Sequence, residues 1–259
     1  MSLVLLDAEP PVATLTLNHD EKRNALSCAL ISELTEALAI CREREVRSVV
    51  LRARKGVKVW SAGHDISELP KNGRDPLAYN DPLEQAIRAV REHPAPVIAM
   101  VEGSVWGGAC ELVICCDLAI AAPTATFALT PARLGVPYNA AGVLRIMNEV
   151  DLSTVKEMFF TGRPISAERA LASEVINHLV PAEELESFTY EMAGAITQMS
   201  PLSIAVAKEQ IRLLSDARPL SPEAFERIQG MRRTVYDSGD YREGIRAFME
   251  KRPPRWTGR

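Results

Sequence analysis

The chain has 259 residues, 47% of them apolar, with 30 basic and 34 acidic side chains and a formal net charge of −4. Roughly 250–300 residues is the upper edge of what one hydrophobic core organises, so a single domain with an appended subregion is the expectation. The acidic balance argues against a protein built to bind nucleic acid, and no run approaches the ~18 apolar residues of a membrane span.

Val12–Leu17 (VATLTL) alternates apolar and polar residues and predicts a strand with one buried face. Asn18–Asn24 is polar and predicts a turn. Ser27 is a suitable N-cap for a helix whose apolar stripe is Ile31, Leu34, Ala37 and Leu38. Ser48–Leu51 predicts a second strand. Lys55–Pro76, rich in Gly, Pro and charge with a short apolar break at Val59–Trp60, predicts a long surface excursion of the kind that often carries function. Leu83, Ile87 and Val90 mark a helix stopped by Pro94 and Pro96, and Val97–Val101 reads as a buried strand. Gly103–Gly108 breaks the pattern. A buried helix over Ala109–Cys116 and a strand over Leu118–Ala121 follow. Further helices fit Val143–Val150, Val155–Phe160 and Ala167–Leu171, and Val175–Val180 fits a strand. Beyond Ala182 only helical patterns remain, broken at Pro201, Pro219 and Pro222. Strands and helices thus alternate first, and helices alone follow.

The cysteines are Cys28, Cys41, Cys110, Cys115 and Cys116. Their odd number and the lack of a C-x-x-C pair suit a reduced, cytoplasmic protein, with Cys115 and Cys116 as small core residues. Met1–Pro10 contains Asp7 and Glu9 and lacks the basic flank and apolar core of a secretory signal.

Two glycine-containing segments, Ser61–Ile66 and Val101–Leu112, are the candidates for chemistry. Gly107 and Gly108 fall where a loop should enter a helix, and there unpaired N–H groups meet a partial positive charge. Glycine lets a ligand oxygen approach such backbone closely, although a tight turn that binds nothing has the same signature. His64 is open to several readings: an acid–base group, a loop residue without a task, or a residue of which only the backbone N–H matters. His19, His93 and His178 are scattered without metal-ligand spacing, so no metal site is expected.

The A-G-x-D-I run (Ala62 to Ile66), the G-x3-G-G-x2-E-L run (Gly103 to Leu112) and N-A-L (Asn24 to Leu26) together resemble the crotonase superfamily, in order and spacing, over nearly the whole chain. That resemblance implies an α/β fold, a crotonase-like spiral of ββα units over residues 1–200. A C-terminal helical region over 201–259 would serve oligomerisation, as a trimer or a dimer of trimers, and contact coenzyme A. The resemblance further implies an oxyanion hole made by the backbone N–H groups of His64 and Gly108 around a thioester oxygen, so that the His64 side chain need not ionise. Ser61–Pro70, Gly73–Leu77, Glu102–Gly108, Leu134–Asn139 and Phe225–Arg233 are similar to a decarboxylating branch of that superfamily. The implied activity is loss of CO2 from methylmalonyl-CoA to give propionyl-CoA; hydration or isomerisation of a short-chain enoyl-CoA is the alternative.

Related hydratases use two glutamates. Glu111 matches the first, whereas Pro131 stands where the second is expected in Phe127–Gly135. Proline neither accepts nor donates a proton, so paired acid–base work is lost there. Decarboxylation needs no base for C–C cleavage, only a sink for the electrons. By the same resemblance Thr130 and Tyr138 lie near the acyl group and offer hydroxyls to a carboxylate or a proton-delivering water. Glu111 either contacts substrate or is a structural residue. Coenzyme A is expected against Ala62, Gly63, His64, Asp65 and Ile66, with Lys22 and Ala25 beside it and Lys251 near a nucleotide phosphate. No metal, nicotinamide, biotin or thiamine is implied, because coenzyme A enters with the substrate.

Overall fold

The alternating VATLTL stretch forms a strand, Val12–Leu17, that buries Ala13, Leu15 and Leu17 on one side. Val4–Asp7 pairs antiparallel with it. These are β2 and β1 of a computed structural model that describes residues 2–70, 75 and 77–258. Helix α1 (Cys28–Glu43) begins where expected, with the Ser27 hydroxyl accepting from the Leu30 N–H at 3.3 Å. There follow β3 (Ser48–Ala53), β4 (Val59–Ser61), α2 (Pro82–Arg91), β5 (Val97–Val101), β6 (Ser104–Trp106), α3 (Gly108–Ile114), β7 (Leu118–Ala121) and β8 (Thr126–Ala128). Helices α4 (Ala140–Glu149) and α5 (Leu152–Thr161), strand β9 (Ile165–Ser166), helix α6 (Ala167–Ala172) and strand β10 (His178–Leu179) complete the mixed part. Helices α7 (Leu185–Thr197), α8 (Pro201–Ser215), α9 (Pro222–Asp237) and α10 (Gly239–Met249) close the chain.

The strands divide between two sheets. The larger runs in the order β1-β2-β3-β5-β7-β10 and the smaller in the order β4-β6-β8-β9. β2, β3, β5, β7 and β10 are parallel neighbours, and so are β4, β6 and β8. Each pass of the chain therefore gives one strand to the large sheet (β3, β5, β7), the next to the small sheet (β4, β6, β8), and then turns into a helical segment. That repetition is a spiral of ββα units. β5 is buried along its whole length because both faces of the large sheet are covered. Val97, Ala99 and Val101 join the main core, while Ile98 and Met100 join a second cluster with Leu185 and Ala193 of α7.

Several expectations are sharpened. Within the Lys55–Pro76 excursion, Val59–Ser61 is a paired strand and Trp60 is fully buried, its indole N–H donating to the Met100 carbonyl at 2.9 Å. Part of the Gly73–Leu77 run, residues 73, 74 and 76, lies outside the described residues. Pro201 and Pro222 do not interrupt helices; they start them at the first turn, behind the caps Ser200 and Ser221, where a missing N–H costs no hydrogen bond. Val175–Val180 pairs only over His178–Leu179, since the Val175 N–H is taken by the Ala170 carbonyl at the end of α6. Cys115 and Cys116 are half-buried at the end of α3, which stops at Ile114. Helix α8 is fastened to the core by Lys208, whose ammonium reaches Asp117 at 2.7 Å and the Val90 and Ala95 carbonyls, and by the bidentate Arg91–Asp216 pair at 2.9 and 3.0 Å. Among the described residues no helix is long and apolar enough to cross a membrane.

Candidate active site

The Asn24-Ala25-Leu26 segment acts as a lace. Asn24 is fully buried with φ +49°, a left-handed conformation that asparagine tolerates. Its side-chain amide donates to the Trp60 carbonyl at 2.9 Å and accepts from the His19 N–H at 2.8 Å. The Ser61 hydroxyl donates to the Asn24 carbonyl at 2.6 Å. Leu26 then bridges the next loop in parallel: its N–H reaches the Gly63 carbonyl at 2.8 Å, and its carbonyl accepts from the Asp65 N–H at 3.3 Å. In such a bridge the residue opposite, His64, keeps its own N–H on the far edge of the strand.

That far edge meets the start of α3. A Cβ at Gly63 (φ +83°) would stand 2.4 Å from the Trp106 carbonyl oxygen and 3.3 Å from the Gly108 nitrogen. The two backbones touch, and only glycine permits it. Gly107 caps α3 with φ +54° and ψ −122°, and its N–H is spent on the Ala128 carbonyl at 2.8 Å. Gly108, the first residue of the helix, has no acceptor within it for its own N–H.

A cavity of about 400 Å³ opens at this crossing. Its wall includes Ala62, His64, Ile66, Gly107, Gly108, Thr130, Pro131 and Tyr138, with Leu77, Leu83, Leu134 and Val136 making it largely apolar. Among the described residues that line it there is no aspartate or glutamate, and Pro131 faces it. Arg23, Arg133 and Arg252 bring positive charge to the wall, and Gly244, Ala247 and Phe248 show that α10 closes one side. The remaining candidates sit behind or beside it. Gly63 holds the backbone crossing. Asp65 caps a 3-10 turn at Ile66–Glu68 and stands 3.8 Å from the Lys22 ammonium, which is exposed. Ala25 is half-buried in the lace, and Lys251 is exposed just after α10. The arginines next to those two lysines, Arg23 and Arg252, are the ones that reach the cavity wall; sequence reasoning passed over them because they belong to no motif.

Glu111 also lies behind the wall. It is 1% exposed and fully engaged: Oε2 accepts the Tyr138 hydroxyl proton, and Oε1 accepts from Nε and one terminal nitrogen of Arg145 at 2.9 and 2.6 Å. Burial pushes its carboxyl upward against the opposing pull of Arg145. Burial, reinforced by Glu111, also holds the Tyr138 phenol well above its ordinary range, so it stays protonated. Among the described residues the buried Nδ1 of the His64 ring has no hydrogen-bond partner. Among the described residues no cluster of three His, Cys, Asp or Glu side chains is placed to hold a metal ion.

What such an arrangement can do is bind an apolar acyl group beside two main-chain amides, with hydroxyls at the wall and cations nearby. Known proteins share the sequence and the fold of this chain. The family model for enoyl-CoA hydratase/isomerase matches residues 7–259. A methylmalonyl-CoA decarboxylase of Escherichia coli (strain K12) is 52% identical over 247 residues, 95% of each chain. A probable mitochondrial enoyl-CoA hydratase of Dictyostelium discoideum is 33% identical over 95% of this chain and 87% of its own. Among solved structures, a methylmalonyl-CoA decarboxylase in complex with 2-nitronate-propionyl-CoA superposes with a TM-score of 0.97 at 50% identity, covering 99% of both chains.

Proposed function

The chain belongs to the enoyl-CoA hydratase/isomerase family, and on that premise we propose that it is an acyl-CoA decarboxylase that converts methylmalonyl-CoA to propionyl-CoA. The observation that carries the choice of reaction is a cavity wall with Pro131 in it and no carboxylate among its described residues. Water addition to an enoyl thioester needs a positioned base and acid. Loss of CO2 needs only an acceptor for the electron pair of the breaking C–C bond.

The mechanism follows from the backbone. The substrate thioester oxygen is held by the N–H groups of His64 and Gly108. As the bond to the carboxylate breaks, its electrons pass through the α-carbon to that oxygen, which becomes the enolate oxygen as CO2 departs. One preorganised donor of this kind is worth about 3–4 kcal/mol in the transition state. The apolar residues around the acyl group favour the loss of carboxylate charge. A proton then adds to the α-carbon from a water held by Thr130 and Tyr138. Tyr138 and Thr130 flank the acyl group, while Glu111 acts through Tyr138, being shielded from the cavity. Ala62, Gly63, His64, Asp65 and Ile66 form the coenzyme A wall; Lys22, Ala25 and Lys251 flank it, and Arg23 and Arg252 extend the charge that the phosphates meet. No metal or further cofactor takes part. The protein works in the cytoplasm and assembles as a trimer or dimer of trimers; the exposed Leu202, Ile211 and Leu214 of α8 offer an apolar face for such a contact.

The test is to supply methylmalonyl-CoA and crotonyl-CoA separately, following CO2 release and loss of enoyl absorbance. CO2 and propionyl-CoA are expected from the first. Turnover of crotonyl-CoA alone would reverse the assignment.

A further inference from the structure

Glu84 and Arg145 are buried charges that the reaction above does not use. One terminal nitrogen of Arg145 reaches Glu84 Oε1 at 2.7 Å and Glu111 Oε1 at 2.6 Å, and Nε adds a second bond to Glu111. Glu84 Oε1 also accepts from the Asn139 amide at 2.6 Å, and the same amide nitrogen holds the Leu77 carbonyl at 3.0 Å. The guanidinium thus joins three walls of the cavity: α2 and its approach, α3, and the start of α4.

Stability alone is a weak reason for such a triad, because replacing buried ion pairs by apolar groups of similar size is often neutral or stabilising. Its geometry gives a better one. Glu111 is fixed on one oxygen by Arg145, which leaves the other oxygen in one place to receive the Tyr138 proton. Gly142, in the first turn of α4, confirms how closely this group is packed. A Cβ there would lie 2.7 Å from Tyr138 Cε1, 2.9 Å from Asn139 Oδ1 and 3.0 Å from Glu111 Oε1. A phenol has one proton. While Glu111 holds it, the Tyr138 oxygen meets the acyl cavity as an acceptor, with its proton turned away.

We propose that Arg145 is a positioning residue for the decarboxylation, acting through Glu111 to fix both the place of the Tyr138 oxygen and the direction of its proton. The proposal rests on the reading of Tyr138 as a residue beside the reacting acyl group. It explains why a carboxylate that never reaches the cavity is held by two Arg145 bonds on one oxygen and by Tyr138 on the other.

The experiment is a double-mutant cycle on the full-length protein, with kcat and KM for methylmalonyl-CoA and thermal midpoints for Arg145→Met, Tyr138→Phe and the double variant. If Arg145 acts through Tyr138, each single change lowers kcat by about tenfold or more with little change in KM, and the double variant is no slower than the slower single one. Losses that multiply would show that Arg145 acts independently of the tyrosine and would overturn the proposal, as would an unchanged kcat in Arg145→Met. An unchanged kcat in Tyr138→Phe would instead remove the role of the tyrosine, and the proposal with it. Should Arg145→Met fail to fold, Arg145→Lys serves: a lysine keeps the charge but not the fork. Its smaller loss of kcat should vanish in the Tyr138→Phe background, and an equal loss in both backgrounds would overturn the proposal.

Discussion

Gly63→Ala puts a single methyl group into the backbone crossing that the mechanism depends on. Two effects separate. The first is conformational: alanine at φ +83° costs about 1–2 kcal/mol. The second is steric. The new Cβ would sit 2.4 Å from the Trp106 oxygen, where ordinary contacts are about 3.4 Å or longer, so the two strands must part by about 1 Å. Displacements of that size at a reacting centre lower rates by about 10²-fold, and complete loss of one enolate donor lowers them by about 10²–10³-fold. Gly56→Ala is the matched control. Gly56 has φ +80° but none of the described residues within 4 Å of its would-be Cβ, so it carries the first effect without the second. Steady-state decarboxylation of methylmalonyl-CoA and thermal unfolding should be measured on both. Each variant loses a few degrees, about 2–4 °C per kcal/mol for a chain of this size. Only Gly63→Ala loses kcat by two orders of magnitude. Equal kcat values in the two variants would refute the claim that the backbone approach at Gly63 sets the catalytic geometry.

Gly108→Pro removes an N–H at the first helical position, where proline is otherwise accepted, while Gly108→Ala meets the same Leu83 methyl at 2.5 Å and keeps the N–H. The proline variant should be at least about 10²-fold slower than the alanine variant, and equal rates would remove Gly108 from the oxyanion hole. His64→Ala keeps its backbone N–H and should stay within about tenfold of the parent kcat; abolished turnover in a correctly folded protein would give the imidazole a role. The hydrogen bond that the Cys28 thiol donates to the Glu68 carboxylate, aided by burial, pushes that thiol up to about 11. Thiolate is therefore scarce at pH 8, and Glu68→Gln should lower that pKa and speed alkylation of Cys28 at pH 8, read by mass spectrometry; an unchanged rate would contradict the assigned cause. Lys208→Met removes the charge partner of Asp117 and one donor each from the Val90 and Ala95 carbonyls, and should lower stability by about 1–3 kcal/mol in a denaturant titration without changing the catalytic residues.

Local chemistry made part of this legible in the sequence. Ser27 announces α1 because a hydroxyl at an N-cap serves a nearby N–H, and Val97–Val101 announces a strand because it is apolar on both faces. The strands of the small sheet were not legible. Val59–Ser61, Ser104–Trp106 and Thr126–Ala128 are three residues long, too short for a period of two to show, and they exist because the spiral places them side by side. The glycines at 63, 107 and 108 mark the site in the sequence, but the reason for Gly63 is a contact with Trp106 and Gly108, more than forty residues away. Glu84 and Arg145 escape sequence reading altogether. On α2 and α4 they occupy positions that look like polar helix faces, and only the fold turns those faces toward each other and toward Glu111.

A crystal structure of this protein with a methylmalonyl-CoA analogue carrying an anionic oxygen in the enolate position would probe the mechanism at its centre. The account predicts that oxygen about 2.7–3.1 Å from both the His64 and the Gly108 nitrogens, with Pro131 and no carboxylate across the cavity from it. An oxygen bound by only one of those amides, or by a side chain in their place, would contradict it.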